Sequence, residues 1–172
     1  MTAYALGCDY STKAVHLALV SRDEVIEREH TAISFDDLAG TILELDGLLN
    51  QLIWKHRVAA LWLETPWFAG GKFVDGTFVA GRSNNNTLKL HRVAHWIEAL
   101  AIRTGISVHY VSPAEWRSQI LGVGGRAKTA ELKRASLRYA QMVYGVETKD
   151  DNLADAIAIA AYGLAQARRE GT

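Results

Sequence analysis

The sequence predicts an α/β fold: a mixed five-stranded sheet, built from an antiparallel three-strand meander plus parallel strands and flanked by helices. Three observations carry that prediction. The first third of the chain holds three short strand-like runs separated by tight polar turns. Two later apolar runs are each preceded by a helix-period segment long enough to cross back over a sheet. The last third is helical in pattern, with no further strand signal.

Each element follows from local chemistry. Residues 4–8 are mostly apolar and end at Asp9, which reads as a buried strand. Residues 14–20 follow after the polar turn 10–13, and residues 25–31 alternate loosely as a third strand. Ser34-Phe-Asp-Asp37 is a helix-start signature, with Ser34 able to accept a backbone N–H and acids at the positive helix end. Leu38, Ile42, Leu45, Leu49, Leu52 and Ile53 recur at helical spacing, so residues 35–55 form an amphipathic helix. Residues 58–63 are a buried strand closed by Glu64 and stopped by Pro66. The stretch 67–83, rich in Gly and aromatics, reads as a loop. A helix over 84–104, with Gly105 beyond its end, precedes a strand over 106–111. Ser112 and Pro113 open another helix, which Gly122-Val-Gly-Gly125 breaks. A basic helix over 127–144 ends at Gly145, and a final helix over 151–168 is acidic first and basic last. Crossover helices make the first, fourth and fifth strands parallel.

Size and composition bound the rest. The 172 residues predict a single domain over 1–172 with an ample core. The single cysteine, Cys8, excludes a disulfide framework and any Cys-based zinc site, and it reads as a small core residue. No apolar stretch is long enough to span a bilayer and no leader pattern opens the chain, so the expectation is a cytoplasmic protein without a membrane. Zero net charge hides an asymmetry. Residues 21–50 hold two basic residues against eight acidic ones, whereas residues 116–140 hold six basic against one acidic. Such a chain can present one basic and one acidic face. That pattern alone divides evenly between solvated helix surfaces and a polyanion site.

The carboxylates are more informative. Asp9 and Glu64 close strands expected to be parallel neighbours about 4.8 Å apart, and their C-terminal ends share the sheet edge where open α/β sheets place ligands. Asp151 and Asp155 are four apart on one helix and share a face. Asp155 lies among small apolar residues on the packing side, where a lone carboxylate is expensive. Asp151 also has an ordinary reading as a helix N-terminal acid. Gathering such charges is costly unless cations sit between them, and Mg²⁺ suits oxygen ligands and phosphates. The pair His91 and His95 has the spacing of a zinc site but no third ligand, so surface histidines are expected there.

These residues resemble the RuvC-type Holliday-junction resolvases of the ribonuclease H-like superfamily. The resemblance covers most of the chain. It rests on Gly7-Cys-Asp-Tyr-Ser-Thr12, Trp62-Leu-Glu-Thr-Pro-Trp67, Thr87-Leu-Lys-Leu90, Ser112-Pro-Ala-Glu-Trp-Arg117 with Gly122-Val-Gly124 and Lys128, and Ala154-Asp-Ala-Ile-Ala158, in that order. The resemblance implies a ribonuclease H-like layout. It implies metal ligands at Asp9, Glu64 and Asp155, a lysine near the scissile phosphate at Lys128, a DNA contact at Arg117 and a base-stacking aromatic at Trp67. The family usually has Asp or His three residues before the last ligand; this chain has Asn152 there, with Asp151 beside it as the favoured fourth carboxylate.

The expectation is therefore a metal-dependent endonuclease that resolves four-way junctions. Asp9, Glu64, Asp151 and Asp155 would hold two Mg²⁺ or Mn²⁺ ions, which activate water and stabilise the leaving oxygen. Lys128 would offset charge at the phosphate. Lys89, Arg117, Arg126, Lys128 and Arg134 would hold DNA phosphates, and Trp67 and Phe68 would stack on unpaired bases. Two symmetric nicks imply a homodimer, with Trp96 and Leu100 on the helix over 84–104 as its contact. The alternatives are a related nuclease acting on RNA–DNA hybrid or other branched DNA, a DNA-binding module without catalysis and, from Gly7-Cys-Asp-Tyr-Ser-Thr-Lys13, one lobe of an actin or sugar-kinase fold.

Overall fold

The computed structural model describes residues 4–66, 72–74, 77–79, 85–124 and 127–170. In chain order the elements are β1 (Ala5–Tyr10), β2 (Ala14–Val20), β3 (Val25–Ala32), α1 (Leu38–His56), β4 (Ala60–Glu64), β5 (Lys72–Val74), β6 (Thr77–Val79), α2 (Asn85–Arg103), β7 (Ser107–Val111), α3 (Pro113–Trp116), α4 (Thr129–Tyr144) and α5 (Asp151–Glu170). A π-helical turn, Arg117–Leu121, continues α3.

The main sheet has five strands in the order β3-β2-β1-β4-β7. β1, β2 and β3 form the antiparallel meander, while β1–β4 and β4–β7 are parallel. This is the mixed architecture the element pattern predicts. The alternation of side chains across the strands then divides the core in two. Leu6, Cys8, Leu17, Leu61 and Leu63 face α1 and α2, meeting Leu45, Leu49, Val93 and Ile97. Ala18, Val20 and Trp62 face the other way, against Trp116, Ala140 and the apolar run of α5 from Ala156 to Ala160. Cys8 is a fully buried core residue, as expected.

Three local readings are corrected. The stretch read as a loop contains an antiparallel hairpin, β5 paired with β6, Phe73 opposite Phe78. Its strands are three residues each, too short to give a period. The first helix begins at Leu38 and is capped by Asp37, whose Oδ1 accepts from the Gly40 amide at 3.0 Å. Ser34 acts one step earlier and accepts from the Asp37 amide at 3.1 Å. Asp9 lies within β1 and not beyond it, because pairing with β2 continues to Tyr10 opposite Val15. Trp96 and Leu100 are both partly buried against the α1/α2 core, and the Trp96 ring packs 5.8 Å from Phe35. The large apolar side chains that α2 exposes are Leu88 and Ile102.

Other boundaries hold for the reasons anticipated. Ser112 caps α3 through the Glu115 amide at 3.2 Å, with Pro113 in the first turn. Gly122 ends the π-helical turn at φ 67°, a left-handed conformation that costs a side-chain-bearing residue free energy. Among the described residues no helix is long and apolar enough to cross a membrane.

Candidate active site

The site is assembled by register. Gly7 pairs with Trp62 and Cys8 with Leu63, so Asp9 and Glu64 each follow the last paired step of adjacent parallel strands. Alternation puts both on the face that α5 covers, because Cys8 and Leu63 occupy the other face. The Tyr10 hydroxyl donates to the Glu64 carbonyl at 2.9 Å and ties the two strand ends together. α5 comes very close to this edge. A Cβ placed on Gly7 would lie 2.3 Å from the Ala156 carbonyl oxygen and 2.4 Å from the Ala160 nitrogen. Only glycine lets the helix deliver Asp155 to the strand that carries Asp9.

The carboxylates feel one another. Burial pushes Asp9 well above the usual carboxylate range; Asp155, Glu64 and Asp151 push it further, and Arg117 pulls it back. Burial also raises Glu64, opposed by the Arg117 charge and by the Trp116 hydrogen bond. Asp155 is raised to about 6, by burial first; a hydrogen bond from Ser136 and the Arg117 charge oppose it, while Glu64 and Asp151 add to it. Desolvation and like charge act together, as expected of acids gathered where water screens them only in part.

Cationic and polar side chains partly relieve that repulsion. Trp116 is fully buried, and its Nε1–H donates to Glu64 Oε2 at 2.8 Å. Arg117 reaches the same oxygen at 3.4 Å. On α5, Asp151 Oδ2 is engaged by Lys133 Nζ of α4 at 2.7 Å. Ser136, one turn along α4 from Lys133, donates to the Leu132 carbonyl at 3.3 Å and lies close enough to Asp155 to hold its rise in check. The cluster thus joins Asp9, Glu64 and Asp155, with Asp151 alongside and already neutralised. Among the described residues, no three His, Cys, Asp or Glu side chains are drawn together as a metal cage. The donor set still fits a hard cation: the acids are oxygen donors, half-buried and mutually repelling, and Arg117 balances only part of their charge.

The remaining sequence-predicted residues fall in several places. Arg117 lies inside the carboxylate cluster. Lys128 immediately precedes α4, and with Arg134 it lines a groove of about 930 Å³ whose other walls include Ile120, Leu121, Tyr139 and Met142. Lys89 lies on α2, in the opposite layer, with its Nζ 4.7 Å from the centre of the Phe35 ring. Trp67, Phe68 and Arg126 lie outside the described residues. His91 and His95 are 6.5 Å apart ring to ring, and His95 contacts Glu98 instead.

Sequence reasoning missed Trp116, Lys133 and Ser136. Trp116 reads as an ordinary core aromatic, and nothing local announces its partner 52 positions away. The α4 pair had a faint signal: Lys133 and Ser136 are three apart, matching the four-residue step from Asp151 to Asp155 on a facing helix.

No family model and no curated protein matches the sequence. Solved structures do match, over nearly the whole chain. Thermus thermophilus RuvC in complex with Holliday junction substrate superposes at TM-score 0.76 and 18% identity, covering 98% of this chain and 96% of that one. The yeast mitochondrial Holliday junction resolvase Ydc2 gives 0.55 at 17% identity, over 93% of this chain and 77% of its own. The fowlpox virus resolvase with its substrate junction DNA gives 0.52 at 11% identity, over 97% and 99%. The chain therefore has the fold of the RuvC-type resolvases, a mixed ribonuclease H-like sheet flanked by helices.

Proposed function

We propose that this protein is a metal-dependent endonuclease that cuts four-way DNA junctions. The observation that carries the reading is the convergence of Asp9, Glu64 and Asp155, from β1, β4 and α5, into one half-buried and mutually coupled acidic cluster. A fold that needed these acids only for stability would not gather them at one half-buried edge, since each raises the energy of the others. The likeness to resolvase structures supports junction DNA as the substrate.

In this reading Asp9, Glu64 and Asp155 hold two Mg²⁺ or Mn²⁺ ions, with Asp151 as the fourth carboxylate. The ions would supply an activated water and stabilise the leaving oxygen of the phosphodiester. The chain's own residues do the rest. Trp116 fixes one oxygen of Glu64 and so orients its carboxylate. Arg117 stands close enough to the acids to share its charge with an incoming phosphate. Lys128 and Arg134 lie on one groove wall, where they can hold DNA phosphates without reading sequence. Trp67 and Phe68 would stack on unpaired bases, and Lys89 and Arg126 would add phosphate contacts. Two symmetric cuts require a second active site, hence a homodimer, and the exposed Leu88 and Ile102 make α2 the face offered for it.

Cleavage of a synthetic four-way junction, a flap and an RNA–DNA hybrid in Mg²⁺ tests the reading. Paired cuts in the junction, abolished in Asp9→Asn with junction binding retained, are expected. Preferential cutting of the hybrid or flap would move the substrate to the related nucleases. Wild-type turnover by Asp9→Asn would remove the site altogether.

A further inference from the structure

The first turn of α5 carries Asp151 and lies one turn before Asp155, so its placement decides where both acids sit. Asp150 caps that turn. Its Oδ1 accepts from the Asn152 amide at 3.0 Å and from the Leu153 amide at 3.3 Å. Its other oxygen, Oδ2, lies 3.2 Å from Nε2 of His16, on β2. His16 is the register partner of Asp9 and so shares its face of the sheet. The ring is buried, with 8% of its side chain exposed, and it stacks on His30 of β3 at 5.9 Å and 16°. Its Nδ1 is buried with no hydrogen-bond partner among the described residues. An imidazole in such a place costs free energy that an apolar residue would not. The carboxylate can only accept, so the Nε2 contact is attractive when Nε2 carries the hydrogen.

We infer that His16 is a positioning residue: from β2 it grips the cap of α5 and so sets the height of Asp151 and Asp155 over the strand that carries Asp9. The contact ties β2, next to the strand of Asp9, to the start of α5. Glu64 is positioned separately, by Trp116 and Arg117 from α3 and the π-helical turn. The consequence for cation binding rests on the nuclease reading; the contact itself does not.

The test compares wild type with His16→Leu, His16→Gln and Asp150→Ser, the last of which keeps a capping oxygen but is too short to reach β2. Two readouts are taken on the full chain: amide hydrogen exchange along α5, and Mn²⁺ affinity by calorimetry. His16→Leu is expected to lose protection at the amides of Asn152, Leu153 and Ala154, while residues 157–164 keep theirs. It should also weaken Mn²⁺ binding about 10–100-fold, the range for residues that orient ligands. His16→Gln, whose amide nitrogen can reach Asp150, should recover both. Asp150→Ser should resemble His16→Leu, and the double variant should be no worse than either. Wild-type protection in His16→Leu would overturn the inference. So would uniform loss along α5, or failure of a folded His16→Gln to recover protection. Absence of Mn²⁺ binding by wild type would count against the nuclease reading and leave the exchange results to judge the contact.

Discussion

Replacing Gly7 with alanine adds one methyl group at the point where α5 meets β1. That methyl would sit 2.3 Å from the Ala156 carbonyl oxygen, 2.4 Å from the Ala160 nitrogen and 2.8 Å from the Ala160 Cβ. Non-bonded atoms settle at roughly 3.5–4.0 Å, so α5 must retreat by about 1 Å or more. The first two obstacles are backbone atoms, which cannot turn aside as a side chain does. Overpacking of this kind costs about 1–3 kcal/mol, and the rigid obstacle places Gly7→Ala at the upper end. A domain with a stability of roughly 5–15 kcal/mol survives that loss and stays folded. Activity should suffer more. α5 moves away from β1 with Asp155 on it, and a misplacement of about 1 Å costs on the order of 100-fold in rate. Urea denaturation gives the stability change through the midpoint at constant slope. Single-turnover cutting of a junction, corrected for the folded fraction, gives the rate.

Gly163→Ala is the matched control. Its added methyl would meet the Trp62 ring at 2.3 Å, which is also a severe overlap. However, the obstacle is a side chain, and it lies eight residues beyond Asp155, about 12 Å along the helix. This variant should lose stability while each folded molecule cuts at nearly the wild-type rate. If Gly7→Ala kept wild-type stability and cutting, or if both variants lost rate equally, the close approach of α5 would not be what places Asp155.

Further predictions follow from the same geometry. Trp116→Phe keeps the packing but removes the donor to Glu64, so the Mg²⁺ concentration for half-maximal cutting should rise about 10–100-fold with a modest stability loss. An unchanged Mg²⁺ requirement would contradict that role. Asp155, raised to about 6, and Asp9, raised well above the usual range, bind more protons folded than unfolded. Stability in EDTA should therefore fall as pH rises from about 4 through about 6, and Mn²⁺ added above that window should restore it; thermal melts across pH check the sign. Reversing charge with Lys128→Glu or Arg134→Glu should weaken junction binding and reduce the slope of log K against log salt by about one. Filter binding at several salt concentrations measures it, and an unchanged slope would remove that residue from the DNA interface.

The sheet was legible because its signals are short-range. Runs that end at Asp9 and Glu64, caps at Ser112 and Gly145, and helix periods between them need only neighbours in sequence to be read. The hairpin of β5 and β6 was not legible, since three-residue strands carry too few alternations. The carboxylates were found because acids at apolar strand ends and on a packed helix face violate the usual burial pattern. Their supports were hidden. Trp116, Ser136 and His16 carry no local signal, and their roles come from partners more than 18 positions away.

The account depends on Asp9, Glu64 and Asp155 sharing one cation site. Crystals grown in MnCl₂ and measured near the manganese absorption edge address that directly. The account predicts anomalous density between these three side chains in wild type and its loss in Asp155→Asn. Anomalous density elsewhere on the chain, or none at this sheet edge in crystals of protein that cuts junction DNA, would contradict it.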